Sequence, residues 1–310
     1  MGQDAYLFGP EHLTLRATID PFLERTKMKE AFSGATFQYS LDEMQRTIAE
    51  IEAQGKTAVI KEHTFHMMDA GTLYTNAGID TIKRENTLKL PLTDKLLDLP
   101  ESERETLPGS PSFPIPNPTI LPDRLLATFM PVLIIRHPCH MVSSFRRVLT
   151  RVYGGSFPDE DSPIDTQYKW HRMIYNFYKA WFSTPEGIAA AGGPAVAEHL
   201  PIVIDGDKLV NDAQGQMETW CRILHIDASG VQYTWEAQPL PENHPKASFI
   251  GTISKSTGVL KSKDGNDKVP VIEEEVQKWM EETDEKTAEG MKFWVEKTME
   301  DYNYLLERSI

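Results

Sequence analysis

The fold is decided by one stretch, Pro131-Val132-Leu133-Ile134-Ile135-Arg136-His137-Pro138-Cys139-His140-Met141-Val142-Ser143-Ser144. Its four consecutive apolar residues predict a strand buried on both faces, as in a parallel α/β sheet. Arg136 follows at the carboxyl end of that strand, where open α/β sheets bind ligands. Ser143 and Ser144 lie one to two helical turns further on, near enough to share an anion with Arg136. Because guanidinium and hydroxyl groups suit phosphate oxygens, the stretch predicts a phosphate-binding site.

Other strands are predicted on both sides of this stretch. Apolar runs predict strands at Thr57–Lys61 and Ile202–Ile204, besides Val132–Arg136. A helical pattern over Leu41–Ile51 ends at Gly55, directly before the first strand. Helix, glycine and buried strand in succession indicate an α/β fold. We therefore expect three layers, with a mainly parallel central sheet and helices on both faces.

Three longer segments complete the predicted organisation of a single domain over residues 1–310. Residues 91–122 hold eight prolines and predict an extended loop. Gln167–Thr184 reads as a helix rich in aromatic residues, more typical of a core element than of a ligand site. An acidic helical segment covers residues 271–310, with its charged residues expected at the solvent face.

The order of four segments resembles that of the sulfotransferase family, most closely the sulfotransferase-like proteins of fungal secondary-metabolite clusters. Arg136, followed eight residues later by Ser144, resembles the segment that binds the 3′-phosphate of the sulfuryl donor PAPS. Residues 57–63 resemble the strand that ends in Lys-Thr-His, with Glu62 in place of the threonine. Residues 201–210 resemble a later strand that ends in a Tyr-Glu-Asp-Leu-like turn, with Asp-Gly in its first two places. Residues 254–263 resemble the loop that closes over the nucleotide.

The resemblance implies a role for each matching residue. His63 is expected to be the catalytic base, since the pKa of a histidine lies near working pH, and Lys61 is expected to stabilise charge on the bridging oxygen. Arg136 and Ser144 are expected to bind the 3′-phosphate of PAPS or of adenosine 3′,5′-bisphosphate. The nucleotide-covering loop would contribute Lys255, Ser256, Thr257, Gly258 and Lys261.

One expected part of the family pattern is missing from this sequence. The family opens with a strand and a phosphate-binding loop, which points backbone N–H groups and a helix N-terminus at the phosphates. No such glycine-rich loop is found here, so we expect either a truncated start or a lost 5′-phosphosulfate site. An N-terminal segment, or the second copy in a homodimer, is expected to cover the vacant sheet edge.

Composition excludes several classes of partner. The formal net charge of −14 argues against a general nucleic-acid surface or an anionic-membrane surface, although it leaves room for a small basic pocket. Two cysteines are too few for a disulfide scaffold. His63 and His66 have the spacing of a metal pair but no third ligand at a sensible spacing, so no metal is expected. Neither a signal peptide nor a membrane span is found, which predicts a cytoplasmic protein.

Three function classes stay open at this point. The first is a PAPS-dependent sulfotransferase acting on a hydroxyl of a small natural product. The second is another enzyme on the same fold, such as a cyclase, isomerase or dehydratase of a natural-product pathway. The third is a non-catalytic binding protein. A retained Arg136/Ser144 pair favours a phosphorylated or sulfated ligand, whereas the missing loop favours the second or third class.

Overall fold

The computed structural model of the protein describes residues 37–78, 111–153, 155–159, 162–240, 247–260 and 268–310. Within them, the predicted strands β1 (Val132–Ile135) and β2 (Ile202–Asp205) form a parallel pair, in the register Val132 to Ile202 through Ile135 to Asp205. The C-terminal residues flank β2, because the Ile310 N–H donates to the Val203 carbonyl. The mixed α/β character predicted from the sequence is confirmed, and the full three-layer arrangement stays a prediction.

Along the sequence, helices precede, separate and follow the two strands. In chain order they are α1 (Phe37–Glu52), α2 (Thr64–Met67), α3 (Ala70–Ala77), α4 (Asp123–Leu126), α5 (Pro138–Tyr153), α6 (Ser162–Asp165), α7 (Lys169–Trp181), α8 (Pro185–Ala190), α9 (Pro194–Ala197), α10 (Gly206–Asn211), α11 (Ala213–Ile223), α12 (Ala247–Ser254), α13 (Ile272–Glu282) and α14 (Glu285–Leu306). The predicted helices near residues 41–51, 167–184 and 271–310 are therefore confirmed, with shifted ends.

The described residues fall into two compact units, each built from two separate stretches of chain. The first unit takes its residues from Met1–Met130 and Met173–Leu200, and the second from Pro131–Arg172 and Pro201–Ile310. The prediction of one domain over residues 1–310 stays a prediction.

The second unit contains the sheet and an apolar core on one side of α5. Cys139, Val142 and Leu149 of α5 are buried against Trp279 of α13 and Met291 of α14. These α5 residues recur at helical spacing, so one face of the helix is apolar and the opposite face is left to polar residues.

The first unit has its own aromatic core, made largely by the second half of α7. The ring of Phe113 stacks on Phe177 at 4.4 Å between centroids and lies 4.5 Å from Trp181. The buried hydroxyl of Tyr178 donates to the Leu126 carbonyl. The aromatic residues of α7 thus serve as core, as the sequence predicted.

Two predictions about strands are wrong. Residues 56–63 form no strand, and Val59 is 39% exposed, because no strand in the described part of the chain lies beside this short apolar run to pair with its backbone. β1 is a strand as predicted but is not buried on both faces, since Ile134 is 57% exposed. β2, by contrast, is buried along its whole length.

The proline-rich segment is irregular from residue 111 to residue 122, as predicted, and residues 91–110 lie outside the described part. Its backbone is tied to the residues that follow α2: the Asp69 N–H donates to the Pro118 carbonyl, and the Ile120 N–H donates to the Met67 carbonyl. The segment therefore runs directly beside the end of the His63–His66 region.

No helix among the described residues is long and apolar enough to cross a membrane.

Candidate functional site

The carboxyl ends of β1 and β2 place a positive and a negative side chain next to each other. Because the strands are parallel and Ile135 pairs with Asp205, the residues that follow both strands meet at one sheet edge. There the Arg136 Nε donates to Asp207 Oδ1 over 3.3 Å. Asp207 lies in the first turn of α10, whose N-cap Asp205 accepts a hydrogen bond from the Asp207 N–H.

Asp207 is the anchor of this edge. Its carboxylate also accepts from the His137 N–H at 3.2 Å and contacts His140 Nδ1 at 3.3 Å. Burial alone would raise the pKa of Asp207, but the hydrogen bonds from His140 and from the His137 N–H, with the charge of Arg136, lower it to about 2. The carboxylate is therefore held ionised beside the arginine.

Replacing Asp207 with asparagine is expected to reduce stability at pH 7. The pKa of this carboxyl lies below its ordinary value of 3.8 in the folded protein, so its stabilisation is present above about pH 4 and is lost as pH falls toward about 2. Urea unfolding of both proteins at pH 7 and at pH 3 should show a smaller difference at pH 3. The matched control is Glu289→Gln, which alters an exposed α14 carboxyl whose side chain makes no hydrogen bond or ion pair with the described residues. If the wild type and the Asp207→Asn variant differed in stability by the same amount at both pH values, the ionised state of the Asp207 carboxylate in the folded protein would be contradicted.

The backbone of Arg136 is held by a buried tyrosine. The Tyr168 hydroxyl accepts from the Arg136 N–H at 2.8 Å and donates to the Arg136 carbonyl at 2.7 Å. Tyr168 is itself fixed, because its own N–H donates to Thr298 Oγ1 of α14 at 2.7 Å. Burial raises the pKa of Tyr168, so the hydroxyl stays protonated and can make both bonds. A side chain thus satisfies the backbone of Arg136 directly after β1 ends.

Tyr168→Phe is expected to destabilise the protein by about 1–3 kcal/mol, because it leaves the N–H and the carbonyl of Arg136 without their partner. Urea unfolding at pH 7 measures the change. Tyr302→Phe is the matched control: Tyr302 is buried beside Tyr168, at 5.8 Å between ring centroids, and its hydroxyl makes no hydrogen bond within the described residues. Equal effects of the two substitutions would show that the Arg136 bonds contribute little.

One face of α5 continues the polar surface away from Arg136. At 3.6 residues per turn, His140, Ser144, Arg147 and Arg151 lie within about 60° of one another around the helix. Within the described residues the Ser144 hydroxyl makes no hydrogen bond. Arg147 Nη1 donates to the buried Ser143 hydroxyl at 2.8 Å. The face therefore presents hydroxyl and guanidinium donors together.

Positive charge accumulates along this face. Desolvation lowers the pKa of Arg147, and although the charge of Glu282 opposes this shift, the charges of Arg146, Arg136 and Arg151 lower the pKa further. Arg146 is paired with Glu282 at 3.1 Å and is nearly buried. Mutual repulsion among arginines is relieved when an anion binds between them, so the face suits a phosphate or sulfate group.

No hydrogen bond joins the side chains of Arg136 and Ser144 in this structure. Among the side-chain nitrogens of Arg136, only Nε has a hydrogen-bond partner within the described residues, and the side chain is 54% exposed. The exposed terminal nitrogens can therefore be reached by a ligand. The shared phosphate site of Arg136 and Ser144 stays a prediction, and the exposed nitrogens are compatible with it.

The predicted nucleotide-covering loop follows α12, which packs beside α5. Lys255 and Thr257 are exposed, whereas the buried Ser256 hydroxyl donates to the Ile253 carbonyl. Gly258 forms an antiparallel bridge with Thr234. Lys261 lies outside the described residues. The role of this loop stays a prediction, and its described part is anchored through its backbone.

The first unit holds a second cluster, made of the residues at and before α2. Lys61 Nζ lies 2.7 Å from His63 Nε2, so the predicted base and the predicted charge stabiliser contact each other directly. Glu62 Oε1 accepts from the His63 N–H at 2.6 Å and contacts His66 Nδ1 at 2.9 Å. The rings of His63 and Phe65 stack at 5.5 Å. Their catalytic roles stay predictions.

Burial shifts the pKa values of His63 and Glu62 in opposite directions within this second cluster. Desolvation, followed by the positive charges of His66 and Lys61, lowers the pKa of His63. Burial raises the pKa of Glu62, against the opposing effect of the His63 N–H and of the neighbouring positive charges.

Sequence reasoning did not select Asp207, His140, Tyr168 or His66 as functional residues. Asp207 could have been found from the sequence. Parallel strands bring the turns after β1 and β2 to the same edge of the sheet, and Asp207 lies in the turn after β2. Tyr168 carried no such signal: it lies 32 residues from Arg136 and was assigned to the aromatic core.

Comparison with known proteins places these clusters in context. No protein-family model and no solved structure matches the chain. Two curated proteins do match it. "Sulfotransferase ppzF" of Metarhizium majus is 25% identical over 293 residues, which cover 93% of this chain and 78% of that protein. "Sulfotransferase ppzF" of Metarhizium rileyi is 24% identical over 293 residues, with the same coverage. The predicted resemblance to fungal sulfotransferase-like proteins is therefore confirmed, at the level of a distant relationship.

Proposed function

We propose that this protein transfers a sulfuryl group from PAPS to a hydroxyl group of a small natural product. The relatives that span most of the chain are named as sulfotransferases, which supports the reaction class. The donor and the acceptor are part of the proposal.

The observation that carries the proposal is the position and bonding of Arg136. It lies at the carboxyl end of a parallel strand, where α/β sheets bind ligands, and Asp207 and Tyr168 fix its Nε and its backbone. The terminal guanidinium nitrogens make no hydrogen bond with a described residue, and the basic face of α5 begins close by. A 3′-phosphate of the donor nucleotide is the group that this arrangement would bind, with Ser144 adding a hydroxyl.

The remaining parts of the proposed site are assigned by resemblance. Lys255, Ser256, Thr257, Gly258 and Lys261 would cover the nucleotide. The cluster that contains Lys61 and His63 would take the proton of the acceptor hydroxyl and stabilise charge on the transferring oxygen.

A transfer assay with sulfur-labelled PAPS tests the proposal. Incubation with a panel of phenols and alcohols should move the label to at least one acceptor. Adenosine 5′-phosphosulfate, which lacks the 3′-phosphate, is the matched control and should be a much poorer donor. Binding of adenosine 3′,5′-bisphosphate without any label transfer would favour a different enzyme on this fold, and the absence of both would contradict the proposed function.

A further inference from the structure

The side chain of Arg147 is held in place by a neutral group. Its Nη1 donates to the hydroxyl of the buried Ser143 at 2.8 Å, and no carboxylate among the described residues forms an ion pair with it. The neighbouring Arg146 differs, since its Nη2 pairs with Glu282 at 3.1 Å. A hydroxyl orients a guanidinium group without neutralising it, so the exposed Arg147 keeps its positive charge for a ligand.

The bond to Ser143 also shows in which direction the Arg147 side chain extends. Ser143 precedes Arg147 by about one helical turn, so the guanidinium group lies back toward the N-terminal end of α5. That is the end at which β1 leads into the helix through Arg136. Around the helix axis, Arg147 lies between the two serines, at about 40° from Ser143 and about 60° from Ser144. The guanidinium group is therefore directed along the helix toward Arg136, on the side that carries Ser144.

The positive charges of Arg136 and Arg147 act on each other. Desolvation is the largest cause that lowers the pKa of Arg147, and the charge of Arg136 is among the further causes. Glu282 has the opposite effect, but its carboxylate is already paired with Arg146. An anion that binds both guanidinium groups would remove their repulsion.

We propose that Arg147 is a second arginine of the anion site, where it binds the same phosphate monoester as Arg136, and that Ser143 is its positioning residue. This inference rests on the proposed function, because the phosphate is the 3′-phosphate of the donor nucleotide. Two guanidinium groups match the charge of nearly −2 that a phosphate monoester carries at pH 7. The residues of this site all belong to the second unit.

Arg147→Gln tests the contact with the phosphate. Glutamine keeps an N–H donor for Ser143 but carries no charge. The variant is expected to bind adenosine 3′,5′-bisphosphate roughly 10- to 150-fold more weakly in isothermal titration calorimetry, the range expected for the loss of one hydrogen bond to a charged group. Its affinity for adenosine 5′-phosphate, which lacks the 3′-phosphate, should change less than about 3-fold, because no direct contact is lost.

Arg151→Gln is the matched control. Arg151 is exposed on the same face of α5, about one turn further from Arg136, and its side chain makes no hydrogen bond or ion pair with the described residues. It lies in the last turn of the helix, where a positive charge interacts favourably with the helix dipole. Its loss should weaken binding less than about 3-fold, because exposed charges at a distance are screened. An equal loss in the two variants would indicate general charge attraction and overturn the role of Arg147.

The double variant Arg136→Ala/Arg147→Gln tests whether both arginines bind one phosphate. Residues that contact the same group are coupled, so the combined loss of affinity should be smaller than the product of the two single losses. A combined loss equal to that product or larger would place the arginines on separate anions and overturn the inference.

Ser143→Ala tests the positioning role of the hydroxyl. It should weaken the binding of adenosine 3′,5′-bisphosphate less than Arg147→Gln does, and it should have no further effect when Arg147 is already glutamine. The same loss in both backgrounds would show that Ser143 does not act through Arg147.

The wild type separates failure of this inference from failure of the proposed function. A wild type that binds no adenosine 3′,5′-bisphosphate would contradict the assigned donor, and the role of Arg147 would fall with it. Wild-type binding that is weakened by Arg136→Ala but not by Arg147→Gln would overturn the role of Arg147 alone.

Discussion

Arg136→Ala is expected to weaken the binding of adenosine 3′,5′-bisphosphate by roughly 10- to 150-fold, as measured by isothermal titration calorimetry. Hydrogen bonds to charged groups contribute about 1.5–3 kcal/mol each, and the exposed guanidinium nitrogens of Arg136 are the donors proposed for the 3′-phosphate. The fold should survive the change, because Asp207 keeps its bonds to His137 and His140.

Arg222→Ala is the matched control for this experiment. Arg222 is exposed on α11 of the same unit, and its side chain makes no hydrogen bond or ion pair with the described residues, so its removal changes the net charge equally without altering the proposed site. An unchanged affinity in Arg136→Ala, or an equal loss in both variants, would remove the nucleotide from this strand end.

Trp279→Ala is expected to destabilise the second unit by about 3–5 kcal/mol, the usual cost of truncating a large buried aromatic side chain. Trp279 is 2% exposed and packs in the apolar core that joins α5, α13 and α14, so alanine would leave a cavity there. Because α5 carries the basic face, loosening this core should also weaken nucleotide binding. Urea unfolding followed by circular dichroism measures the stability.

Trp235→Ala serves as the matched control for this core substitution. Trp235 belongs to the same unit but is 42% exposed, so its removal should cost much less than the loss of Trp279. Similar unfolding midpoints for the two variants would show that the core around Trp279 contributes little.

The elements predicted correctly from the sequence are those whose pattern is strong over a short range. Four apolar residues followed by arginine and proline located β1 and its carboxyl end, and a second apolar run located β2. Helical spacing of apolar residues located α1, α13 and α14. Such patterns are strong because the apolar residues of each element are buried against a neighbouring element.

The predictions that failed concern elements whose structure depends on neighbouring strands or helices, and the local sequence does not identify those neighbours. Residues 57–61 resemble a strand but pair with no strand among residues 37–78 and the other described ranges, and Ile134 lies in a strand with one exposed face. A run of three or four apolar residues does not show whether another strand lies beside it, because strand pairing is determined by tertiary structure.

The candidate site also contains residues that the sequence identified and residues that only the structure identified. Arg136 was predicted because it directly follows β1, whereas its partners Asp207 and Tyr168 are 71 and 32 residues away. The Lys61–His66 cluster was found through His63 and Lys61, yet the bonds of Glu62 to the His63 N–H and to His66 required coordinates. Such hydrogen-bond partners depend on three-dimensional geometry, which the spacing of residues in the sequence does not contain.

The hydrogen bond between Tyr168 and Thr298 is expected to determine when the geometry of Arg136 becomes fixed during synthesis and folding. Arg136 is fixed by Tyr168, and Tyr168 is in turn anchored by a residue 130 positions later, in the last helix. Contacts of such separation form late, because the entropy of closing the intervening chain must be paid before they stabilise anything. During synthesis from the N-terminus, β1 and α5 leave the ribosome long before α14 does. The proposed anion site is therefore expected to be completed only when the chain is nearly finished, so that a partly synthesised chain carries Arg136 but not its fixed geometry.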